Sequence, residues 1–356
     1  MPVNSRLKVG VFNEGNIPSL YAHSFSVMKM AQGFAALGCQ TQVVTADSLK
    51  AVWRRRKFPD LAAHYGLTRQ VPVAWLRPSL KTYLTSDTGG DPLLAERALA
   101  HAKKQAMDLV YARSYLLPVL STRAGIPTVM ETHTTLYDHP DLVKIYGVAH
   151  LPAFKCLVTI HDNIAREHIK RGVPEQKVLV LEDGVDLERF DISDDAIEWR
   201  RKLGLDLNKR YAVYSGHLYK DKGIEMIVAA AKQLAGREDL VFLLVGGFDR
   251  DRRFWENQAR DAGLNNLRFT GFMPNAEVPG YLKTADCLLL PYRMDMKHTV
   301  MDIHTTSPLK LFEYMAAGRP IVATNIPTVA KVLENGKSAF LVPPGDIKAF
   351  CDAIAK

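Results

Sequence analysis

Cysteine is scarce in this sequence, and long apolar runs are absent from it. The 356 residues include four cysteines that lie far apart and form no C-x-x-C pair: Cys39, Cys156, Cys287 and Cys351. This scarcity argues against a disulfide framework or a thiolate metal site and suits a reducing compartment. No apolar run approaches the length of a membrane span, and the first residues lack the apolar core of a signal peptide. We therefore expect a cytoplasmic protein.

A glycine-rich dinucleotide motif is also missing. Residues 8–12 form a predicted buried strand, 24–37 a predicted helix and 40–45 a second predicted strand, which is typical of a βαβ unit in a parallel sheet. The loop after the first strand contains Gly15 but no G-x-G-x-x-G, and this counts against NAD or FAD as a cofactor. The length of the chain allows two domains of ordinary size.

Acidic residues are under-represented in the first half of the chain. Residues 1–180 carry 22 Lys/Arg against 13 Asp/Glu, whereas residues 181–356 carry 24 against 25. The densest basic run is W-R-R-R-K-F at residues 53–58. Such a run can attract anionic lipid headgroups or an anionic acceptor, or it can be the solvated face of a helix or loop. No nucleic-acid recognition motif accompanies it.

The stretch S-P-L-K-L-F-E-Y-M-A-A-G-R-P at residues 307–320 predicts a helix with a presented N-terminus. Ser307 is a good N-cap, Pro308 suits the first helical position, and Gly318 ends the helix. The free N–H groups of the first turn, with Lys310 beside them, favour an anion, and Glu313 can accept hydrogen bonds from hydroxyls. This predicts a ligand that combines a diphosphate with sugar hydroxyls. An ordinary capped amphipathic helix has the same spacing.

The stretch resembles the nucleotide-binding signature of the retaining glycosyltransferases of family 4, which have the GT-B architecture. A bacterial subset of that family reads S-P-L-K-L-F-E-Y-M-A-A-G. The resemblance implies that backbone amides here hold the donor diphosphate and that Glu313 binds the nucleotide ribose. Many family members carry a second Glu eight residues earlier, where this chain has Thr305. The donor-binding residues implied are Ser307, Pro308, Leu309, Lys310, Leu311 and Glu313.

Two segments of the first half also resemble this family. The loop with Gly15 and Asn16 corresponds to one that abuts the donor phosphates and the acceptor, although the usual double glycine is missing. The tripeptide E-T-H at 131–133 follows a predicted strand and resembles the family's E-x-H element. The resemblance implies that His133 lies beside the donor sugar and the acceptor. A lone histidine after a strand is often only structural.

The resemblance divides the chain at a hinge-like segment, E-D-G-V-D-L-E-R-F, at residues 182–190. It implies an N-terminal acceptor-side domain at 1–182 and a C-terminal nucleotide-sugar-binding domain at 183–356. In family members a long C-terminal helix usually crosses back to the first domain, and this sequence ends before such a helix.

The second domain is expected to supply the remaining donor contacts. After a predicted strand at 211–214, the family pattern places an Arg and a Lys on the diphosphate; Lys222 matches the Lys, and His217 stands where the Arg usually does. We therefore expect donor affinity that depends on pH near about 6–7. Gly271 and Phe272 correspond to a segment whose backbone meets the nucleobase.

The residues and the resemblance together predict a GT-B fold of two facing, doubly wound Rossmann-like domains with the active site in the interdomain cleft. The expected reaction moves a sugar from a nucleoside-diphosphate sugar, UDP-sugar favoured over GDP-sugar, to an acceptor hydroxyl with retention of the anomeric configuration. The catalytic candidates are His133, Lys222 and Glu313. No cofactor and no metal ion are expected, since the lysines and the helix N-terminus can stabilise the leaving diphosphate.

The expected acceptor is a saccharide or a lipid-linked glycan of surface polysaccharide assembly, with peripheral contact to an anionic inner membrane through the basic first domain. Histidines and aspartates at 293–306 match no familiar metal-ligand spacing. Two alternatives stay open: a GT-B-shaped sugar-nucleotide epimerase, and a non-catalytic sugar-nucleotide-binding protein.

Overall fold

The computed structural model describes residues 7–134, 136–193, 195–294 and 309–356. The chain divides into two compact units, Met1–Glu182 (unit 1) and Asp183–Lys356 (unit 2). Three positions named above, Thr305, Ser307 and Pro308, lie outside the described residues, as does most of the segment 293–306.

The described part of unit 1 forms one parallel seven-stranded sheet in the order β3-β2-β1-β4-β5-β6-β7. The strands are β1 (Lys8–Asn13), β2 (Gln40–Ala46), β3 (Val73–Leu76), β4 (Leu109–Arg113), β5 (Thr128–Glu131), β6 (Phe154–Thr159) and β7 (Val178–Val180). The helices are α1 (Ala22–Ala36), α2 (Leu49–Lys57), α3 (Leu61–Tyr65), α4 (Leu80–Thr85), α5 (Pro92–Lys104), α6 (Leu116–Arg123), α7 (Pro140–Tyr146) and α8 (Asp162–Lys170). Both sheet faces are covered, because Val11 and Val43 join one core while Phe12 and Val44 join another.

The described part of unit 2 forms a second parallel sheet, of six strands in the order β10-β9-β8-β11-β12-β13. The strands are β8 (Arg210–Ser215), β9 (Leu240–Val245), β10 (Leu267–Gly271), β11 (Cys287–Leu290), β12 (Ile321–Thr324) and β13 (Phe340–Val342). The helices are α9 (Ala196–Lys202), α10 (Ile224–Gln233), α11 (Asp249–Asp261), α12 (Val278–Lys283), α13 (Leu309–Ala317), α14 (Pro327–Ala330) and α15 (Ile347–Ala355), with short 3-10 helices at Leu187–Phe190 and Lys220–Lys222. The expectation of two doubly wound parallel-sheet domains is confirmed.

Each sheet has a switch point at which the direction of winding reverses. In unit 1, β1 lies between β2 and β4, and in unit 2, β8 lies between β9 and β11. Open α/β sheets bind ligands beyond the carboxyl ends of the strands at such points. The loops that follow β1, β4, β8 and β11 are therefore where functional side chains are sought.

The largest differences from the predicted elements are short ones. Residues 48–92 hold the short elements expected there, which are α2, α3, β3 and α4, whereas α7 and α9 lie where no helix is predicted. Single capping side chains start several of these helices: the Ser48 hydroxyl accepts from the Ala51 N–H, and the Asp195 carboxylate accepts from the Ile197 N–H. Helices this short contain too few turns for an apolar period to be recognised.

Among the helices that the structure describes, none is both long enough and apolar enough to cross a membrane.

Candidate active-site residues

The loop after β8 brings Lys310 of α13 against the backbone of Gly216. A Cβ atom at Gly216, which has φ +125°, would lie 2.4 Å from Lys310 Cε. Lys310 Nζ donates a hydrogen bond of 2.7 Å to the Tyr214 hydroxyl at the end of β8. Because Gly216 has no side chain, the Lys310 side chain can lie over the end of β8, at the switch point of unit 2.

Tyr314 fixes the start of α13 at the same place. Its buried hydroxyl accepts from the Ser215 N–H at 2.9 Å and donates to the Leu289 carbonyl at 3.2 Å. These bonds join the helix to β8 and β11, so that Leu309 and Lys310 lie near the carboxyl ends of both strands. The Leu311 side chain is fully buried in the core, and only its backbone can meet a ligand.

Two lysines converge on one aromatic ring. Lys222, which is 7% exposed, has its Nζ 5.9 Å from the centre of the Tyr292 ring. Lys310 Nζ is 5.7 Å from the centre of the same ring. Two ammonium groups beside one ring concentrate positive charge at this place, and such a place attracts an anion. The arrangement suits a ligand that carries a diphosphate.

His217 is neutral in the ligand-free protein near neutral pH. Its ring stacks on Tyr219 at 4.9 Å and also contacts Phe248. Burial and repulsion from Lys310 and Lys222 together lower the pKa of His217 to about 4, against the opposing effect of Asp251. The pKa of His217 in the ligand-free site therefore lies below the range of pH 6–7, and the pH dependence of donor affinity stays a prediction.

Glu313 is held by an arginine of the hinge-like segment. The Glu313 carboxylate Oε1 is 3.5 Å from Arg189 Nη1, and Arg189 Nη2 donates to the Asn275 carbonyl at 2.5 Å. The Arg189 side chain is 8% exposed and that of Glu313 is 21% exposed. The buried arginine thus orients the Glu313 carboxylate, and part of the Glu313 side chain remains accessible to a ligand.

Gly271 and Phe272 lie at the end of β10, on the other side of β9 from β8. Gly271 has φ +73°, and its carbonyl accepts from the Gly246 N–H at 2.9 Å. Gly271 and Phe272 are therefore linked to the switch point at β8 through the turn at Gly246. One strand, β9, separates them from β8 and from His217, which follows it.

In unit 1, the loop after β1 is fastened to its neighbours. The Gly15 carbonyl accepts from Asn13 Nδ2 at 3.1 Å and from the Thr45 hydroxyl at 2.6 Å. Asn16 Nδ2 donates to the Ser86 carbonyl at 3.2 Å, and the Ser48 hydroxyl donates to Asn16 Oδ1. The Asn16 side chain thus links the starts and ends of neighbouring helices, which leaves its backbone for any contact with a donor.

His133 belongs to a polar network at the ends of β4 and β5. Its Nε2 lies 2.5 Å from Glu131 Oε1, and its Nδ1 lies 2.9 Å from Arg113 Nη2. Tyr111 donates to Glu131 Oε2 at 2.6 Å. Burial raises the pKa of Glu131, but the bonds from His133 and Tyr111 and the charge of Arg113 outweigh it and hold that pKa at about 2. Both imidazole nitrogens of His133 are therefore already engaged.

Family models match the two halves of the chain separately. Residues 24–189 match the model described as Glycosyltransferase Family 4, and residues 209–356 match the model described as Glycosyl transferases group 1. The chain belongs to the family 4 glycosyltransferases. The family assignment inferred from the signature at 307–320 is confirmed.

Curated relatives of this glycosyltransferase share about a quarter of its residues. It is 25% identical over 313 residues to the alpha-D-kanosaminyltransferase of Streptomyces kanamyceticus, covering 83% of this chain and 76% of that protein. It is 26% identical over 271 residues to the UDP-Gal:alpha-D-GlcNAc-diphosphoundecaprenol alpha-1,3-galactosyltransferase of Escherichia coli, covering 71% of this chain and 67% of that protein.

Solved structures share the fold over nearly the whole chain. The structure of HepE from Anabaena in complex with UDP-glucose superimposes with a TM-score of 0.69 at 17% identity, covering 98% of this chain and 89% of that one. WaaG, a glycosyltransferase involved in lipopolysaccharide biosynthesis, gives a TM-score of 0.66 at 16% identity, covering 98% and 90%. The GT-B fold is confirmed.

The structure of this glycosyltransferase adds residues that the sequence does not single out. Arg189 pairs with Glu313, and Arg113 pairs with His133. One signal was present: Arg113 is the polar residue that closes the apolar strand β4, and ligands collect at the carboxyl ends of such strands. No comparable signal marks Arg189, because its partner lies on a distant helix.

Proposed function

We propose that this glycosyltransferase moves a sugar from a UDP-sugar to a hydroxyl of a saccharide or lipid-linked glycan, with retention of the anomeric configuration. The donor diphosphate would be held in unit 2 beyond β8 and β11, and the nucleotide ribose would donate hydrogen bonds to Glu313. Retention requires the acceptor oxygen to attach on the face of the sugar from which UDP departs.

The convergence of Lys222, from the 3-10 helix before α10, and Lys310, from the start of α13, on the Tyr292 ring is the observation that carries the proposal. Lys222 and Lys310 both approach the Tyr292 ring, and α13 begins at Leu309, so the positive end of its helix dipole lies beside Lys310. As the glycosidic bond breaks, negative charge grows on the diphosphate and positive charge grows on the sugar. Fixed positive groups stabilise that leaving charge more than they stabilise the ground state. Groups of this kind can replace a divalent ion, and we propose a metal-independent reaction.

The relatives support the choice of donor and acceptor. HepE was solved with UDP and with UDP-glucose, and the E. coli relative is named for a UDP-galactose donor and a diphosphoundecaprenol-linked acceptor. Other relatives are named for colanic acid and teichuronic acid biosynthesis. A role in assembling a bacterial surface polysaccharide on a lipid carrier follows as the proposal for this chain.

An exposed surface of unit 1 supports peripheral contact with an anionic membrane. On α2, Leu49 and Trp53 are 49% and 60% exposed and lie one helical turn apart, and the exposed Lys57 continues the same face. Leu80 and Leu84 of neighbouring α4 are 69% and 59% exposed. Exposed apolar groups beside basic ones are typical of interfacial helices.

Only part of the basic run at 53–58 contributes to this surface. Arg54 is buried, and Arg55 pairs with Asp47 at 2.6 Å and stacks on Trp75. Arg56 and Lys57 are exposed. The membrane-facing group we propose is therefore Leu49, Trp53, Arg56, Lys57, Leu80 and Leu84.

Calorimetric titration with UDP, GDP, ADP, UMP and NAD⁺ tests the donor site. We expect UDP to bind most tightly and UMP at least about tenfold more weakly, because UMP lacks the second phosphate. Glu313→Gln should weaken UDP binding about tenfold, which is the effect of one charge-assisted hydrogen bond. Glutamine is preferred to alanine here because it preserves packing against the buried Arg189.

Glu238→Gln, at an exposed acid of unit 2, is the matched control and should bind UDP as the unchanged protein does. Equal affinity for UDP and NAD⁺, or a Glu313→Gln variant that binds UDP like the control, would refute the proposed donor site. The anomeric configuration of the product, read by NMR, and activity in the presence of EDTA test retention and metal independence. Release of an epimerised sugar without transfer would favour the epimerase instead.

A further inference from the structure

Among the described residues of unit 1, three buried side-chain nitrogen atoms have no hydrogen-bond partner. One is His168 Nε2 on α8, and the other two are Arg113 Nη1 and His23 Nε2. Arg113 Nη1 and His23 Nε2 both lie at the carboxyl ends of β1 and β4. Arg113 is the last residue of β4 and pairs in register with Asn13, the last residue of β1. A Cβ atom at Gly15, two residues further on, would lie 2.3 Å from His23 Nε2. Buried polar atoms are nearly always satisfied in native proteins, so unsatisfied ones at a switch point indicate a missing ligand.

The network at His133 directs attention to Arg113. Because Glu131 and Arg113 occupy both nitrogens of the His133 ring, this imidazole has no nitrogen left for a substrate. Arg113 is different, since its Nη2 meets His133 while its Nη1 lies 3.9 Å from the Glu131 carboxylate, beyond hydrogen-bond range. The carboxylate and the imidazole thus fix the plane of the guanidinium and leave its Nη1 buried without a hydrogen-bond partner.

The charges nearby favour a neutral ligand over a phosphate. The Arg113 charge is balanced by the ionised Glu131, and burial together with Arg113 and Arg54 lowers the pKa of His23 to about 4, which leaves that ring uncharged. Glu14, next to Gly15, adds a carboxyl group at the same strand end, where its Oε2 accepts from the Gly90 N–H at 3.4 Å. Burial raises the pKa of Glu14 to about 7, so this carboxyl group can accept a hydrogen bond from a hydroxyl or, when protonated, donate one to it.

We propose that Arg113 and His23 bind a hydroxyl group of a sugar substrate, and that Glu131 and His133 are positioning residues that hold Arg113 for this contact. The inference rests on the proposed function and deepens it, since it names the groups by which unit 1 contacts a sugar. The hydroxyl belongs either to the donor sugar or to the acceptor, and the experiment separates these two sources.

The first measurement is NMR of the protein labelled with ¹⁵N-histidine, with the His23 signals assigned by their loss in His23→Asn. In one arm, UDP and then UDP-glucose, UDP-galactose and UDP-N-acetylglucosamine are added. In the other, methyl α-glucoside, α-galactoside and N-acetyl-α-glucosaminide are added to the UDP-saturated protein. If the donor sugar occupies the site, a UDP-sugar shifts the His23 Nε2 resonance and UDP does not. If the acceptor occupies it, a glycoside shifts that resonance.

The second measurement uses variants of the network. Arg113→Lys keeps the charge but loses the fork, and it should weaken binding of the sugar ligand identified above by about 10- to 100-fold while UDP affinity changes less than about twofold. Glu131→Gln should weaken the same ligand in the same selective way, because it releases Arg113; a merely structural role would lower UDP and sugar binding together. Arg123→Lys, at an exposed arginine of α6, is the matched control.

The proposal is overturned if no sugar ligand in either arm moves the His23 resonance, or if Arg113→Lys binds them as Arg123→Lys does. If Arg113→Lys fails to fold, the NMR titration of the unchanged protein decides alone. Failure of the proposed function has a different signature, because UDP would then not bind at all, while the glycosides added to the protein without UDP would still report on unit 1.

Discussion

Gly223 offers a sharp test of how the phosphate-facing loop of unit 2 is built. It joins the 3-10 helix that carries Lys222 to the start of α10, and it has φ +74°. A Cβ atom placed there would lie 1.6 Å from the Pro291 carbonyl oxygen and 2.8 Å from its carbonyl carbon. Pro291 directly follows β11. Gly223→Ala therefore drives the Lys222 segment and the end of β11 apart.

The expected cost of Gly223→Ala has two parts. Placing a non-glycine residue in the left-handed region lowers the free energy of unfolding by about 1–2 kcal/mol. The overlap with Pro291 must be relieved by more than about 1 Å of backbone movement, since real Cβ atoms essentially never approach closer than 3.0 Å, and overpacking of this kind costs about 1–3 kcal/mol. We expect the free energy of unfolding of unit 2 to fall by about 2–5 kcal/mol. The movement also displaces Lys222, so UDP affinity should fall by at least about tenfold.

Hydrogen exchange followed by mass spectrometry can localise this effect. Because a chain of two units need not unfold in one step, the exchange of peptides covering β8 and β11 is compared with that of β1 in the same sample. Gly236→Ala is the control, since a Cβ atom there meets no other atom within 4 Å. Faster exchange confined to unit 2 is the expected result. Exchange and UDP affinity equal to those of Gly236→Ala would refute the packing argument.

Two further predictions concern pH and the membrane. Burial lowers the pKa of His168 from 6.5 to about 4. Between these two pH values the histidine is protonated in the unfolded protein and neutral in the folded protein. The free energy of unfolding should therefore fall by up to about 3 kcal/mol as pH drops from 6.5 to 4. Urea unfolding between pH 4 and 7.5 should show a shallower pH dependence in His168→Gln, and an unaltered dependence would contradict the assignment. Replacing Arg56 and Lys57 by glutamine should lower the affinity for phosphatidylglycerol vesicles, measured by co-sedimentation at low salt, about 30-fold. This follows because each basic residue near the membrane contributes about 1 kcal/mol to binding. The same change at the exposed Lys103 and Lys104 should have little effect, and equal losses in both variants would count against a specific membrane face.

Much of the fold could be predicted because its signals are local. Runs such as L-V-F-L-L-V at residues 240–245 are buried along their whole length, which only a strand covered on both faces explains. Glycines such as Gly38 and Gly318 end helices in the left-handed conformation, as their positions in the sequence indicate. The short helices of residues 48–92 were harder, because each depends on one cap and a few contacts made by other parts of the chain.

The candidate site could be predicted only where its residues lie in one stretch. Lys310 and Glu313 share a helix, and their spacing carries information by itself. Arg189 and Arg113 act through partners that the fold brings from elsewhere in their own units. The neutral state of His217 likewise depends on burial and on Lys310, which is remote in the sequence. Properties of this kind arise from tertiary packing and leave no local pattern.

The neutrality of His217 also explains why a histidine suits the place of the family's arginine here. The ring lies between Tyr219 and Phe248 and close enough to Lys222 and Lys310 for both to repel a proton from it. A guanidinium at this position would add a third permanent charge to a buried cluster. An imidazole avoids that cost in the empty site. If the proposed donor binds here, the negative charges of its diphosphate would offset the lysines and raise the pKa of His217, and the ring could then gain a proton. The cluster can therefore adjust its charge to its ligand, which a permanently charged arginine cannot do.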